Sequence, residues 1–201
     1  MRKIGIMGGT FNPIHIGHLM LSEWAMDAVG LDEIWIIPAG QPYKKAEETI
    51  LPGQERLHMA ELAVRENKRI SCLDLEIERK GYTYTYETLE ELKSRFPDEE
   101  FYFILGADCL FSLEEWRKPE RILKNCTLIA AVRNDTTMEE MEEKRNELMR
   151  RFGGNVILLP FARMSISSSE IRKRVAEGKS IRYMVPDAVK DYIEEKGFYR
   201  G

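Results

Sequence analysis

Short apolar runs alternate with longer stretches of helical period along almost the whole chain. Ile4 to Met7 reads as a buried strand that closes on Gly8-Gly9, and His18 to Val29 as a helix stopped by Gly30. Glu33 to Ile37 predicts a second strand, ended by Pro38, and a long polar loop runs from Ala39 to Gly53. Gln54 to Glu66 predicts a helix, Ile70 to Ile77 a strand of alternating character, Thr85 to Phe96 a helix, and Phe101 to Leu105 an apolar strand stopping at Gly106. Thr127 to Val132 and Val156 to Leu159 complete the strands; Met138 to Phe152, Ser168 to Glu177 and Pro186 to Glu195 complete the helices.

Strands separated by helices imply right-handed crossovers and a sheet covered on both faces. The expected fold is α/β, a Rossmann-like, doubly wound, mostly parallel sheet of about five to six strands. A length of 201 residues suits one domain, with residues 161–201 as a small C-terminal helical cap. Thirty Lys and Arg against 34 Asp and Glu leave a formal net charge of −4, which argues against a global nucleic-acid footprint, so any grip on an anion must be local. Cys72, Cys109 and Cys126 form no paired motif and read as small buried hydrophobes rather than a zinc site or disulfide framework. The apolar start is too short for a signal peptide, and no run is long enough to span a membrane. The expectation is a cytoplasmic protein that binds neither membrane nor nucleic acid, with a homo-oligomer left open.

Ligands of doubly wound sheets sit beyond the carboxyl ends of the strands, which singles out a few segments. The first is Gly8-Gly9-Thr10-Phe11-Asn12-Pro13-Ile14-His15-Ile16-Gly17-His18. It is not the dinucleotide fingerprint GxGxxG. Two glycines after a buried strand let backbone N–H groups approach an anion, and His15 and His18 fall on one turn at a positively polarised helix start. Such a site suits phosphate. The second segment is Ser165-Ile166-Ser167-Ser168-Ser169-Glu170-Ile171-Arg172. Ser167 and Glu170 form a capping box, which explains part of it; three adjacent hydroxyls with Arg172 one turn inside also make an anion cradle. Gly106-Ala107-Asp108 ends a strand, and its acid could hold ribose hydroxyls or cap a helix. Trp116 could be core packing, and the Tyr84-Thr85 start of a helix could be capping alone.

The opening segment resembles the nucleotidyltransferase superfamily with an (H/T)xGH motif, and more closely the nicotinate mononucleotide adenylyltransferases, whose usual opening is GGTFDPPHxGH. Asn12 and Ile14 depart from the usual Asp and Pro. The resemblance implies that Gly8, Gly9, Thr10, Phe11, His15 and His18 hold the triphosphate of ATP, with His18 at the reacting phosphate. The serine segment matches the superfamily's ISS(S/T)xIR element, which implies that Ile166, Ser167, Ser168, Ser169 and Arg172 meet the outer phosphates. Gly106 and Asp108 would contact the nucleotide, Trp116 would lie over the nicotinate ring, and backbone donors at Tyr84 and Thr85 would meet the pyridine carboxylate. Lys44, Lys45 and Arg133 would serve the mononucleotide phosphate; Lys44 stands where the family usually has histidine. His15, His18 and Arg172 are the implied catalytic residues.

The implied reaction joins ATP and nicotinate mononucleotide into nicotinate adenine dinucleotide and pyrophosphate, a step of NAD biosynthesis. The mononucleotide phosphate, with a second pKa near ~6, is its own nucleophile and requires no general base. Mg²⁺ is expected to travel with ATP rather than in a protein-built metal site. A pantetheine-phosphate adenylyltransferase shares the phosphate segments, but the Thr85 and Trp116 motifs and the longer chain favour the pyridine nucleotide. A nucleotide-sensing protein without chemistry would not require His15, His18 and Arg172 together, and an isolated aminoacyl-tRNA synthetase core is disfavoured because the chain has neither a KMSKS loop nor a tRNA-binding appendage.

Overall fold

The computed structural model describes residues 1–42, 50–132, 137–161 and 165–200. Strands β1 (Lys3–Gly9), β2 (Glu33–Pro38), β4 (Ile70–Cys72), β6 (Glu100–Gly106), β7 (Thr127–Val132) and β8 (Asn155–Pro160) form one sheet in the order β4-β2-β1-β6-β7-β8. Every neighbouring pair runs parallel. The chain winds outward through β2 and β4, then returns past β1 to β6, so the switch point lies between β1 and β6. Their carboxyl ends are Gly8-Gly9 and Gly106.

The period of two along the strands sorts their side chains into two layers. Trp35 and Ile37 join one buried cluster with Tyr86 and Leu89 of α3 (Thr85–Arg95), Ile122 of α5 (Pro119–Asn125) and Leu148 of α6 (Met138–Phe152). Ile34 and Ile36 face the other, with Met26 of α1 (Ile16–Val29) and Met59 of α2 (Gly53–Val64). Ile171 of α7 (Ser168–Ala176) and Val189 and Ile193 of α8 (Asp187–Lys196) share this second cluster. The Tyr192 hydroxyl also donates to Glu55 of α2 at 2.6 Å. The C-terminal helices therefore pack beside α1 and α2, on the face from which the first loop emerges. No helix among the described residues is long and apolar enough to cross a membrane.

Three elements differ from the pattern. The strand expected over Ile70 to Ile77 stops at Cys72, because the N–H groups of Ile77 and Glu78 turn back to the Asp74 carbonyl at 2.8 and 3.2 Å. Between Gly106 and Thr127 the pattern predicts no element, yet α4 (Ala107–Phe111), a 3₁₀ turn (Leu113–Glu115) and α5 lie there, each too short to display a period. Inside the long polar loop, β3 (Gln41–Pro42) pairs with β5 (Tyr82–Thr83) in a separate two-stranded ladder.

Candidate active site

The loop joining β1 to α1 folds tightly over the sheet's carboxyl edge. A Cβ on Gly9 would meet the Phe11 ring at 3.0 Å and one on Gly8 the Phe103 ring at 3.3 Å, so the glycine pair is required by packing as well as by access to an anion. Phe11 itself takes φ +48°, uncommon for a non-glycine residue, while its ring is buried. Its side chain belongs to the core and touches His18 edge-on at 5.0 Å, leaving only its backbone to face a ligand. His15 occupies the N-cap of α1, and the His15 and His18 rings stack at 3.7 Å. The His15 backbone N–H donates to His18 Nδ1 at 3.2 Å, so a neutral His18 carries its proton on Nε2 as a donor.

The serine segment, some 150 residues later, docks directly on this loop. Ser168 Oγ donates to the Pro13 carbonyl at 2.8 Å, and Arg172 Nη1 donates to the Asn12 carbonyl at 3.0 Å. Ser167 caps α7 by accepting from the Glu170 N–H at 3.2 Å, and Ser169 accepts from Arg172 at 3.3 Å. The three hydroxyls thus have distinct structural partners, while the N-terminus of α7 is brought against the first loop. Two positively polarised helix ends, those of α1 and α7, converge near one place.

Beside it opens a cavity of about 240 Å³ lined by Gly8 to Thr10, Ala39, Glu76, Thr83 to Thr85, Phe103, Cys109, Trp116 and Arg117. That falls below the ~300–1,000 Å³ of whole-ligand sites, so it fits the ring end of a ligand that continues along the open crevice. Trp116 is half-buried, its edge against Phe103 at 6.3 Å. It is neither pure core nor free surface. Tyr84 is the N-cap of α3, with Thr85 the first helical residue. The Arg117 guanidinium lies 4.9 Å over the Tyr84 ring at the cavity mouth. A helix N-terminus and an arginine at this mouth favour an anionic ligand. The buried Glu76 carboxylate in the wall accepts from the Thr88 hydroxyl at 2.7 Å, and that hydroxyl accepts from Arg79 at 2.9 Å. Asp108 is exposed in the first turn of α4, whose N-cap is Gly106. The capping alternative for Asp108 is therefore overturned: the helix begins two residues earlier than such a cap would need. Lys44, Lys45 and Arg133 lie outside the described residues.

A cytidylyltransferase-like family model matches residues 6–174. A protein of Lachnoclostridium phytofermentans, described as a probable nicotinate-nucleotide adenylyltransferase, is 46% identical over 199 residues, covering 99% of this chain and 100% of its own. The chain belongs to the nicotinate-nucleotide adenylyltransferase family. A Dehalococcoides mccartyi protein of the same description is 42% identical over 198 residues, covering 98% of this chain and 97% of its own. Among solved structures, the Plasmodium falciparum nicotinic acid mononucleotide adenylyltransferase complexed with NaAD superposes with a TM-score of 0.78 at 23% identity, covering 99% of this chain and 98% of that one. That likeness supports the fold.

Two residues of this family member escape sequence reasoning. Arg56 is 1% exposed, and its guanidinium donates to the carbonyls of Leu51, Thr10, Ala39 and Gly40 at 2.9, 2.7, 2.6 and 2.9 Å. Burial pulls it below the ordinary arginine range, opposed in part by Tyr199 and Glu76. Tyr199 donates to Asn12 Oδ1 at 2.9 Å, and the Leu51 N–H reaches the same oxygen at 3.3 Å. Burial pushes the Tyr199 phenol well above its usual range. Both tie distant chain to the first loop. The detectable signal for Arg56 is its place three and four residues before Met59 and Ala60, on the apolar face of α2.

Proposed function

We propose that this chain transfers the adenylyl group of ATP to nicotinate mononucleotide, giving nicotinate adenine dinucleotide and pyrophosphate in NAD biosynthesis. The observation that carries the reading is the contact of the Ser168 and Arg172 side chains with the first loop, next to the cavity that holds Trp116. The triphosphate would lie between the α1 and α7 N-termini and the pyridine ring against Trp116. The mononucleotide phosphate then points at the α-phosphate from the far side of the departing pyrophosphate.

Such a reaction asks the protein for alignment and charge cancellation rather than covalent chemistry. His18 Nε2–H would donate to the phosphoryl oxygen on which charge grows, with His15 holding the ring by its backbone N–H. Arg172 would add positive charge from α7, and the N–H groups of Gly9 to Phe11 and of the α7 start would complete the cradle with Ile166 alongside. Thr85 and Tyr84, at the α3 N-terminus, would meet the pyridine carboxylate, and Asp108 and Gly106 the nucleotide at the end of β6. Lys44, Lys45 and Arg133 would neutralise the mononucleotide phosphate.

Among the described residues, no group of three His, Cys, Asp or Glu could hold a metal ion, while Asp108 offers one exposed carboxylate. That donor set fits Mg²⁺ arriving on ATP, since this ion binds through few carboxylates together with substrate phosphates. When bound, it supplies charge neutralisation on the triphosphate.

The test is a pyrophosphate-release assay offering nicotinate mononucleotide, nicotinamide mononucleotide and phosphopantetheine side by side with Mg-ATP. Fastest turnover with the nicotinate form is expected. Preference for phosphopantetheine, or no release with any acceptor, would refute the reading.

A further inference from the structure

The first loop can present its N–H groups to a phosphate only if its peptides are turned the right way. In a planar trans peptide the C=O and the N–H point in opposite directions, so anchoring one aims the other. Two anchors act here on consecutive peptides. The Gly9 carbonyl accepts from the Ala39 N–H at 2.8 Å, which aims the N–H of Thr10. The Thr10 carbonyl accepts from Arg56 Nη1 at 2.7 Å, which aims the N–H of Phe11. From the same guanidinium, Nη2 reaches Ala39 and Gly40 just beyond β2, and Nε reaches Leu51 on the far side of the long loop. Three separate pieces of chain thus meet at one planar fork. Arginine supplies five donors in fixed geometry; a lysine ammonium is a point charge with three rotatable donors.

We infer that Arg56 is a positioning residue for adenylyl transfer, setting the first loop and the end of β2 in register so that the two substrates meet in line. The inference rests on the adenylyltransferase reading and adds a residue to it. At 1% exposure Arg56 cannot touch substrate, so it acts through the peptides it holds. Gly40 supports the same junction: a Cβ there would lie 2.1 Å from the Glu76 carbonyl oxygen, so the Gly40 peptide presses against that turn with no room for a side chain.

The experiment compares the parent chain with Arg56→Lys, measuring kcat with saturating nicotinate mononucleotide and Mg-ATP, and Kd for each substrate separately by calorimetry. A misplacement remote from the chemistry lowers rate by about 10²-fold, so kcat should fall by that order while each Kd changes less than about threefold. Turnover within threefold of the parent overturns the inference. A fall in kcat matched by an equal weakening of either substrate's binding also overturns it, because a merely loosened fold gives that result. Should R56K not fold, NMR of the parent decides. Arg56 Nη protons should resolve as separate, slowly exchanging signals that shift when α,β-methylene-ATP and Mg²⁺ are added. One averaged signal, or none that shifts, overturns the inference. An inactive parent chain would count against the adenylyltransferase reading, and the NMR measurement would still test the tether.

Discussion

Replacing Trp116 by alanine separates core packing from ligand stacking, because the indole is half-buried against Phe103 and half-open to the cavity. A fully buried tryptophan lost to alanine costs ~3–5 kcal/mol, so a half-buried one should cost about 2. A domain stable by ~5–15 kcal/mol stays folded after that loss, and kinetics remain measurable. Losing a stacking partner costs a bound ring ~1–3 kcal/mol. By the usual factor of ten per 1.4 kcal/mol, that is roughly a 5- to 150-fold rise in KM for the mononucleotide. ATP, whose phosphates the proposed reading puts between the α1 and α7 N-termini and away from Trp116, should change its KM by less than about threefold. Continuous pyrophosphate release, with one substrate varied at saturating levels of the other, reads both constants. Equal rises for both substrates would refute the reasoning and leave Trp116 as core alone.

Other perturbations probe the remaining contacts. His18→Ala removes the Nε2 donor and should lower kcat by about 10²–10³, as loss of a single transition-state donor does elsewhere; stopped-time product assays at saturating substrate check this. Gly40→Ala would place a methyl 2.1 Å from a backbone oxygen, and thermal unfolding should show a loss of ~3 kcal/mol or more. Tyr199→Phe deletes the hydroxyl that reaches Asn12, and scanning calorimetry should register about 1 kcal/mol, or ~2–4 °C in Tm. Glu140 sits below the usual carboxylate range because the Thr137 N–H and hydroxyl donate to it. The stability it adds is therefore present above the ordinary glutamate value of about 4.3 and disappears as pH falls through its lower folded value. Parent and Glu140→Gln should differ in Tm at neutral pH and converge in acid.

Elements long enough to repeat their period were legible in the sequence. The 15 residues of Met138–Phe152 have the predicted bounds, and the apolar runs of β1, β2, β6, β7 and β8 lie where expected. α4, α5 and the β3–β5 ladder were not, since one or two turns or a two-residue strand carry no periodicity. The glycine–histidine and serine segments could be read because they cluster unusual residue types, while their approach is a tertiary contact that only the docking of α7 on the first loop shows. Arg56 and Tyr199 were hidden for a different reason. A single arginine among helical charges looks like solvent-facing surface despite its place on the apolar face of α2, and only the fold shows that four carbonyls from two loops surround it. Tyr199 lies past the last helix, and nothing local ties it to Asn12, 187 residues earlier. Serine hydroxyls carry a second role that their type did not show: Ser167 and Ser169 accept within α7, which leaves each O–H able to donate, while Ser168 spends its donor on the Pro13 carbonyl.

The most direct test is a crystal structure of the protein soaked with Mg²⁺ and α,β-methylene-ATP. The triphosphate should lie between the Gly8–His18 loop and the first turn of α7, with His18 Nε2 and the Arg172 guanidinium both within hydrogen-bond reach of phosphate oxygens. A nucleotide whose phosphates touch only one of those two segments, or lie at another edge of the sheet, would contradict it.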